Sequence, residues 1–187
     1  MREELVLGFG KARERHVEYG LLVSIDRCVG CRACELACAA ENSLTDGVRW
    51  RHIVKSGPTL TPSGPQLAFM SISCMHCGTA PCMQVCPVKA ISKRPDGIVV
   101  VDDKKCIGCK ACLWVCPFGA PQFNPRTGRM SKCHLCFHRV EKGQVPACVA
   151  SCHVEAIQFG TTSELAQKVH LSVLNRASAA KGSIATP

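Results

Sequence analysis

The 187-residue chain is poor in aromatic side chains, which make up 5% of it, with one tyrosine and two tryptophans. A chain of this length has room for one ordinary domain or two small ones, but with so few large rings much of its cohesion has to come from something other than apolar packing. Long hydrophobic runs are absent too. A bilayer span needs about 20 apolar residues, and the best segments here are as short as Leu21–Ile25 and Ile98–Val101. Membrane attachment is therefore expected only through a partner. Met1–Gly20 (MREELVLGFGKARERHVEYG) has no apolar core, no small-residue cleavage site and no twin arginine, so no export signal is expected. No G-x-G-x-x-G follows a predicted strand, no phosphate-binding loop occurs, and Ser, His and Asp form no hydrolytic motif.

What the chain has in abundance is cysteine, 16 residues. That density suits a disulfide scaffold only in an oxidising compartment, and with no signal to reach one, disulfides are not expected. The cysteines form four groups. Cys28, Cys31, Cys34 and Cys38 are spaced C-x2-C-x2-C-x3-C, and Cys106, Cys109, Cys112 and Cys116 repeat the pattern 78 residues later, DRCVGCRACELAC against KKCIGCKACLWVC. This is an internal duplication. Cys74, Cys77, Cys82 and Cys86 are spaced C-x2-C-x4-C-x3-C, and Cys133, Cys136, Cys148 and Cys152 C-x2-C-x11-C-x3-C. Pro-Val-Lys-Ala-Ile follows the former and His-Val-Glu-Ala-Ile the latter, so these two groups are also partners.

In C-x2-C-x2-C three thiolates can reach three irons of one cube while the intervening backbone donates to sulfur, and Gly30 and Gly108 let that backbone come close. The fourth cysteine of such a run, usually before a proline, serves a second cluster, as Cys86-Pro87 and Cys116-Pro117 suggest. A structural zinc site has no use for the third and fourth cysteines, so a zinc-binding interaction module is the weaker alternative. If every cysteine holds iron, none is free as a nucleophile. The formal charge of +9 would ordinarily point to nucleic acid. Four Fe4S4 cubes with their thiolates would add about −8, leaving about +1, and that inference falls away. Basic residues near the clusters, Arg32, Lys89, Lys104, Lys105, Lys110 and Lys132, are then expected to favour the reduced state. His76, His134, His138 and His153 are expected beside clusters or on the surface, Trp114 packed beside a cluster, and Trp50 at an interface.

Leu21–Ile25 reads as a strand, and Ile98–Val101 as another that Ile91-Ser92 would pair with across the Lys93–Gly97 turn. Ser56–Gln66 reads as a surface loop. Thr161 with Glu164 forms a capping box opening a helix over Leu165–Leu174, and Ala177–Pro187 reads as an extended or mobile tail.

CPVKAISKRPDGIVVVDDKKCIGCKAC, running from Cys86 to Cys112, resembles the middle of a bacterial two-cluster ferredoxin. The resemblance implies that Cys74, Cys77 and Cys82 take Cys116 as fourth ligand, and Cys106, Cys109 and Cys112 take Cys86. The first and fourth groups are left for each other: Cys28, Cys31 and Cys34 with Cys152, and Cys133, Cys136 and Cys148 with Cys38.

From about Tyr19 to Gly160, through CVGCRACELAC, CMHCGTAPCMQVCP and CIGCKACLWVCP, the chain is similar to the four-cluster iron–sulfur electron-transfer subunits of dimethyl sulfoxide reductase-type molybdopterin oxidoreductases. That resemblance implies the same nested pairing and four [4Fe–4S] clusters, no catalytic site of its own, and an α+β fold of two ferredoxin units, one inserted in the other. Residues 19–43 with 128–160 would form the outer unit, 70–125 the inner unit, 44–69 a connecting loop and 161–187 a helical C-terminal extension. It departs from the pattern at Ala39 and His153, where proline would follow the fourth cysteine. The implied partners are a large molybdenum or tungsten pterin subunit on one side and a membrane quinone-reactive anchor, hydrogenase or other carrier on the other, with no nucleic acid. A second expectation is a soluble polyferredoxin-like subunit of a tungsten aldehyde oxidoreductase, formate dehydrogenase or hydrogen-dependent carbon dioxide reductase, some of which self-assemble into filaments. The expected location is cytoplasmic; membrane association through a partner and export with a signal-bearing partner are both compatible.

Overall fold

The computed structural model describes residues 17–45, 47–62 and 64–181, with side chains through Asn175. In chain order the elements are β1 (Tyr19–Val23), α1 (Ala33–Glu41), β2 (His52–Thr61), β3 (Gly64–Ile72), α2 (Pro81–Gln84), β4 (Ile91–Lys93), β5 (Val99–Val101), α3 (Ala111–Val115), β6 (Gln122–Asn124), β7 (Arg129–Ser131), α4 (Phe137–Val140), α5 (Ala147–Ala150), β8 (Ile157–Thr161) and α6 (Thr162–Lys181). Every sheet among the described residues is a two-stranded antiparallel ladder: β1 with β8, β2 with β3, β4 with β5, and β6 with β7. Ladders this small are marginal by themselves. They stand because they press short helices and cysteine loops together.

The β4–β5 hairpin follows from its residues. Ile91 and Val99–Val101 are β-branched, and the Arg94–Gly97 turn closes with Gly97 N–H donating to Arg94 O at 3.0 Å and Gly97 at φ 82°. β1 pairs with β8 from opposite ends of the chain, Tyr19 opposite Thr161 and Val23 opposite Ile157, with the Tyr19 and Phe159 rings stacked. The expected strand over Leu21–Ile25 thus runs Tyr19–Val23. The capping box forms reciprocally: Glu164 N–H donates to Thr161 Oγ1 at 3.2 Å, and Thr161 N–H donates to Glu164 Oε2 at 2.8 Å. The helix it opens continues to Lys181, so Ala177–Lys181 are helical rather than extended; their alanines favour that state. Residues 1–16 of the N-terminal segment and 182–187 of the expected tail lie outside the described residues.

Ser56–Gln66 is not a loop. It forms the middle of the β2–β3 hairpin, whose register shifts between Ser56 and Thr59 around Gly57-Pro58. A two-stranded ladder gives each strand one unpaired edge, so Pro58 and Pro65 need not cost a ladder bond. Alternating Ile53, Lys55, Leu67 and Phe69 supply strand-compatible residues on either side. The β6–β7 hairpin joins Gln122 to Ser131 across the expected boundary between residues 125 and 128.

Three of the helices begin where the chain leaves a left-handed residue: Arg32 (φ 62°) before α1, Lys110 (φ 63°) before α3 and Cys136 (φ 49°) before α4. α1 and α3 are duplicates in sequence, yet α1 has nine residues and α3 five. Pro117 cannot continue a helix past Cys116, whereas Ala39 lets α1 run on to Glu41.

Two small cores result. One gathers Ala80, Cys82, Ile91, Val99, Cys112 and Met130, the other Cys34, Cys148 and Ile157 with Leu21, Val23 and Ile53 against them. Cysteine replaces the missing aromatics in both.

The two glycines of the duplicated loops differ in what surrounds them. A Cβ on Gly108 (φ +70°) would stand 2.1 Å from the Gly128 carbonyl oxygen, which is backbone, while one on Gly30 (φ +71°) would meet the movable ring of Phe69 at 2.6 Å. Gly108→Ala is therefore expected to lower the thermal midpoint well beyond Gly30→Ala, measured by anaerobic thermal unfolding. Equal losses would contradict the packing of β6–β7 on the Cys106–Cys109 loop.

Candidate metal centre

None of the sixteen cysteines is in a disulfide, and the folding brings twelve of them together in three sets of four. One pocket is walled by Cys38, Cys133, Cys136 and Cys148 with Trp50, Arg51 and His134. A second is walled by Cys74, Cys77, Cys82 and Cys116 with Lys132. A third is walled by Cys86, Cys106, Cys109 and Cys112 with Ile91 and Met130. Of the remaining four, Cys34 and Cys152 meet in the second core beside Cys148. Cys31 is exposed, 4.0 Å from His153 Nδ1, and Cys28 is half-buried.

The sets adjoin one another in one order. Cys34 lies near enough to Cys148 for its charge to raise that thiol's pKa, Cys74 does the same to Cys133, and Cys82 to Cys112, in each case adding to the larger effect of burial. Cys31 and Cys109 are the two exposed cysteines.

Three of the four cysteine groups aim backbone N–H groups at sulfur. The amide two residues after the first cysteine donates to it: His76 to Cys74 Sγ at 3.5 Å, Gly108 to Cys106 Sγ at 3.4 Å, Leu135 to Cys133 Sγ at 3.4 Å. The amide four residues after the fourth cysteine does likewise: Ala90 to Cys86 Sγ at 3.2 Å, Ala120 to Cys116 Sγ at 3.4 Å, Ala156 to Cys152 Sγ at 3.2 Å. After Cys38, where α1 runs on, the donor at the same offset is the Asn42 side chain, its Nδ2 3.8 Å from Cys38 Sγ. β7 adds one more, Met130 N–H to Cys106 Sγ at 3.3 Å.

These donors fit a cationic iron–sulfur core. Burial pushes the Cys38 and Cys133 thiols up to about 12, and Cys112 to about 11, with neighbouring cysteines adding to the rise. Such thiols ionise only where positive charge is supplied, as a bound metal core supplies it. A single zinc ion draws its thiolates to about 2.3 Å from one point, whereas the cysteines here are spread around the walls of pockets.

Two buried cations supplement the sulfurs. Lys132, singled out by sequence, is buried; its Nζ donates to the Val99 and Cys133 carbonyls and it walls the Cys74–Cys116 cavity. Arg32, Lys89, Lys104, Lys105 and Lys110 are exposed. Arg51 has no signature in the sequence: an arginine after Trp50 carries no motif, and only the fold buries it.

His76 accepts a hydrogen bond from Val99 N–H at Nδ1 (3.0 Å), so its proton sits on Nε2, and burial, with Lys132, His134 and Lys93 adding to it, pushes its pKa down to about 3. Burial likewise lowers His134 to about 4. Both are neutral at pH 7. Trp114 does not pack beside a cluster site; it is 86% exposed on α3, because the helix turns its cysteines inward and this position outward. Trp50 is half-buried, its Nε1 donating to Ser131 Oγ at 3.0 Å and its ring edge-on to His134.

A small α/β framework whose loops deliver cysteine sulfurs and amides to largely apolar pockets defines an iron–sulfur protein of ferredoxin type. The model of the 4Fe-4S dicluster domain matches residues 65–162. Similar proteins include a chain of the anaerobic dimethyl sulfoxide reductase of Escherichia coli K12, 43% identical over 81% of this sequence and 77% of its own length. The formate dehydrogenase iron–sulfur subunit of Wolinella succinogenes is 38% identical over 81% of this sequence and 86% of itself. A subunit of the tetrathionate reductase of Salmonella typhimurium is 39% identical over 76% and 56%. The protein belongs to this family of iron–sulfur electron-transfer subunits of molybdopterin oxidoreductases, which are not the catalytic subunits. Among the described residues no helix is long and apolar enough to cross a membrane.

Glu41, at the end of the extended α1, ties that helix to α4. His138 Nε2–H donates to Glu41 Oε1 at 2.7 Å and Arg139 Nη1–H to Oε2 at 2.8 Å, and the His138 bond first, then Arg139, hold the carboxyl below its usual range. A lowered folded pKa stabilises above the unfolded value, about 4.3, and that stabilisation is lost as pH falls through the folded pKa. Glu41→Gln is expected to lower the thermal midpoint at pH 7, with the gap from wild type closing below about pH 4.3. A gap independent of pH would show that the ionised carboxylate is not what matters.

Proposed function

We propose that the chain carries single electrons through four [4Fe–4S] clusters, between a large molybdenum or tungsten pterin catalytic subunit and a second redox partner. Cys28, Cys31, Cys34 and Cys152 hold the first; Cys38, Cys133, Cys136 and Cys148 the second; Cys74, Cys77, Cys82 and Cys116 the third; Cys86, Cys106, Cys109 and Cys112 the fourth. The observation that carries the reading is the sorting of three of these quartets into separate pockets, one quartet to each. Donors spread around a volume suit a cube better than one ion.

When bound, each cluster supplies a one-electron couple. The chain's own residues hold it by sulfur, aim amides at those sulfurs, and exclude water with Ile91, Val99, Leu135 and Met130. Hydrogen bonds, local charge and exposure then order the potentials. Quartets one and two belong to an outer ferredoxin unit closed by β1–β8, quartets three and four to an inner unit built on β4–β5; the antiparallel pairing of β1 with β8 supports this nesting. The adjacency of the quartets supports a row, with electrons entering and leaving near exposed Cys31 and Cys109.

The names of the relatives, each a single component of a larger oxidoreductase, support a pterin-bearing partner. A membrane quinone-reactive anchor or another carrier would stand on the far side. Protein purified anaerobically is expected to contain about 16 iron and about 16 acid-labile sulfide per chain, and to co-purify with a subunit that assays for molybdenum or tungsten. Four zinc and no sulfide would sink the reading. Cys148→Ser is expected to cut iron towards about half, keeping the inner pair; loss of all iron would contradict two separable units.

A further inference from the structure

Arg51 is the most deeply buried cation in reach of two cysteine sets, 2% exposed. It is held by a fork: Nη1 donates to Ser71 Oγ at 2.8 Å and Nη2 to Ser73 Oγ at 2.8 Å, the two serines lying on the same side of the chain at and just past the end of β3. Ser71 Oγ in turn lies 3.4 Å from Cys34 Sγ, in the first quartet. The same guanidinium walls the cavity of the second quartet, Cys38, Cys133, Cys136 and Cys148.

The direction of the chain of bonds follows from what each group can give. A guanidinium only donates, so Ser71 Oγ accepts from Arg51 and its own proton is free. A cysteine sulfur bound to metal has no proton, only lone pairs. The Ser71 hydroxyl therefore donates to Cys34 Sγ, and the charge on Arg51 polarises that bond. Among the described residues no carboxylate pairs with Arg51, although Arg27, Arg49, Arg94 and Arg139 each have one. A buried charge without a partner is expensive, and a fully buried arginine facing sulfur needs a reason beyond packing. A guanidinium stays protonated even where burial opposes its charge, and with metal bound the thiolates of Cys148, Cys133, Cys34 and Cys38 are the negative charges nearest to it. The sulfurs are its counter-ions.

We infer that Arg51 sets the potentials of the first and second cluster sites, directly at the second and through the Ser71 hydroxyl at the first, by favouring the state that has gained an electron. This rests on the four-cluster reading above. Accepting one electron takes a cube with four thiolates from about −2 to about −3, and a fixed positive charge in a low-dielectric interior is attracted more by the latter. The electron comes from the adjoining site or from the partner's donor, and no proton or bond change accompanies it. The fourth quartet, walled by apolar residues beyond the third, lies outside this influence.

The test is an anaerobic, EPR-monitored redox titration of the full chain, with iron and sulfide measured on the same samples, for wild type, Arg51→Gln, Arg51→Lys and Ser71→Ala. In iron-replete Arg51→Gln the reduced-to-oxidised ratio at a fixed potential is expected to fall about tenfold at two sites, a midpoint about 59 mV more negative for a one-electron couple, with the fourth site unmoved. Arg51→Lys keeps the charge without the fork and should stay within about threefold of wild type. Iron-replete Arg51→Gln with unmoved potentials overturns the inference, as does Arg51→Lys shifting as far as Arg51→Gln, which would make the fork structural. Should Arg51→Gln fail to load iron, Ser71→Ala decides: a more negative first site with the fourth unchanged supports the inference, and an unmoved first site overturns it. Wild type without iron and sulfide would remove the cluster reading itself, a different failure from unmoved potentials in loaded protein.

Discussion

A sulfur atom that accepts a hydrogen bond from the amide two residues further on forces the chain into a left-handed turn there, and the rest of this molecule is arranged around that constraint. The same position in all four cysteine groups is left-handed: Gly30 at φ 71°, His76 at 45°, Gly108 at 70° and Leu135 at 56°. Two of these carry a full side chain, at about 1–2 kcal/mol each. The strain persists because the amide satisfies a buried sulfur and because the turn sends the next cysteine back toward the same cavity. A second turn of the same kind follows the fourth cysteine, left-handed at Lys89, Gly119 and Glu155, each placing an alanine amide on sulfur. Ala90, Ala120 and Ala156 are buried, and a larger side chain there would press into the wall.

Once the sulfurs are enclosed, electrostatics governs what else is tolerated. Crowded, buried thiols resist ionisation, as the raised Cys38, Cys112 and Cys133 values show, and the compensating charges have to be close. Arg51 and Lys132 serve from within, while most of the remaining described lysines and arginines stay on the surface. The histidines in the loops contribute shape and dipoles rather than charge, since burial keeps His76 and His134 neutral. The small ladders then act as clamps. β1–β8 draws Cys34 and Cys152 toward Cys148, and β4–β5 with β6–β7 covers the cysteines from 74 to 116.

Much of this is legible in the residues. Spacing favours iron–sulfur loops over zinc, the duplication is visible letter by letter, and the turn at Arg94–Gly97 and the capping box at Thr161 and Glu164 form as their residues require. Ser56–Gln66 reads as a loop, wrongly, because Pro and Gly signal one unless each strand has a free edge, which depends on how many neighbours the strand has. Trp114 is misplaced by the sequence because the repeat fixes which residues follow one another, not which side of a five-residue helix faces out. Arg51 is invisible there, for its role comes from Ser71 and Ser73, twenty and twenty-two residues away.

The division has a physical cause. Cysteine chemistry and local turn geometry act over two to four residues, so sequence by itself determined the donor type, the loop conformation and the family. Distance between segments is set only when β1 meets β8 and the helices close, so tertiary structure alone decided which cations are buried beside sulfur and which cysteines are left exposed. A charge acts through space on whatever lies within a few ångströms, and no single stretch of sequence encodes that distance.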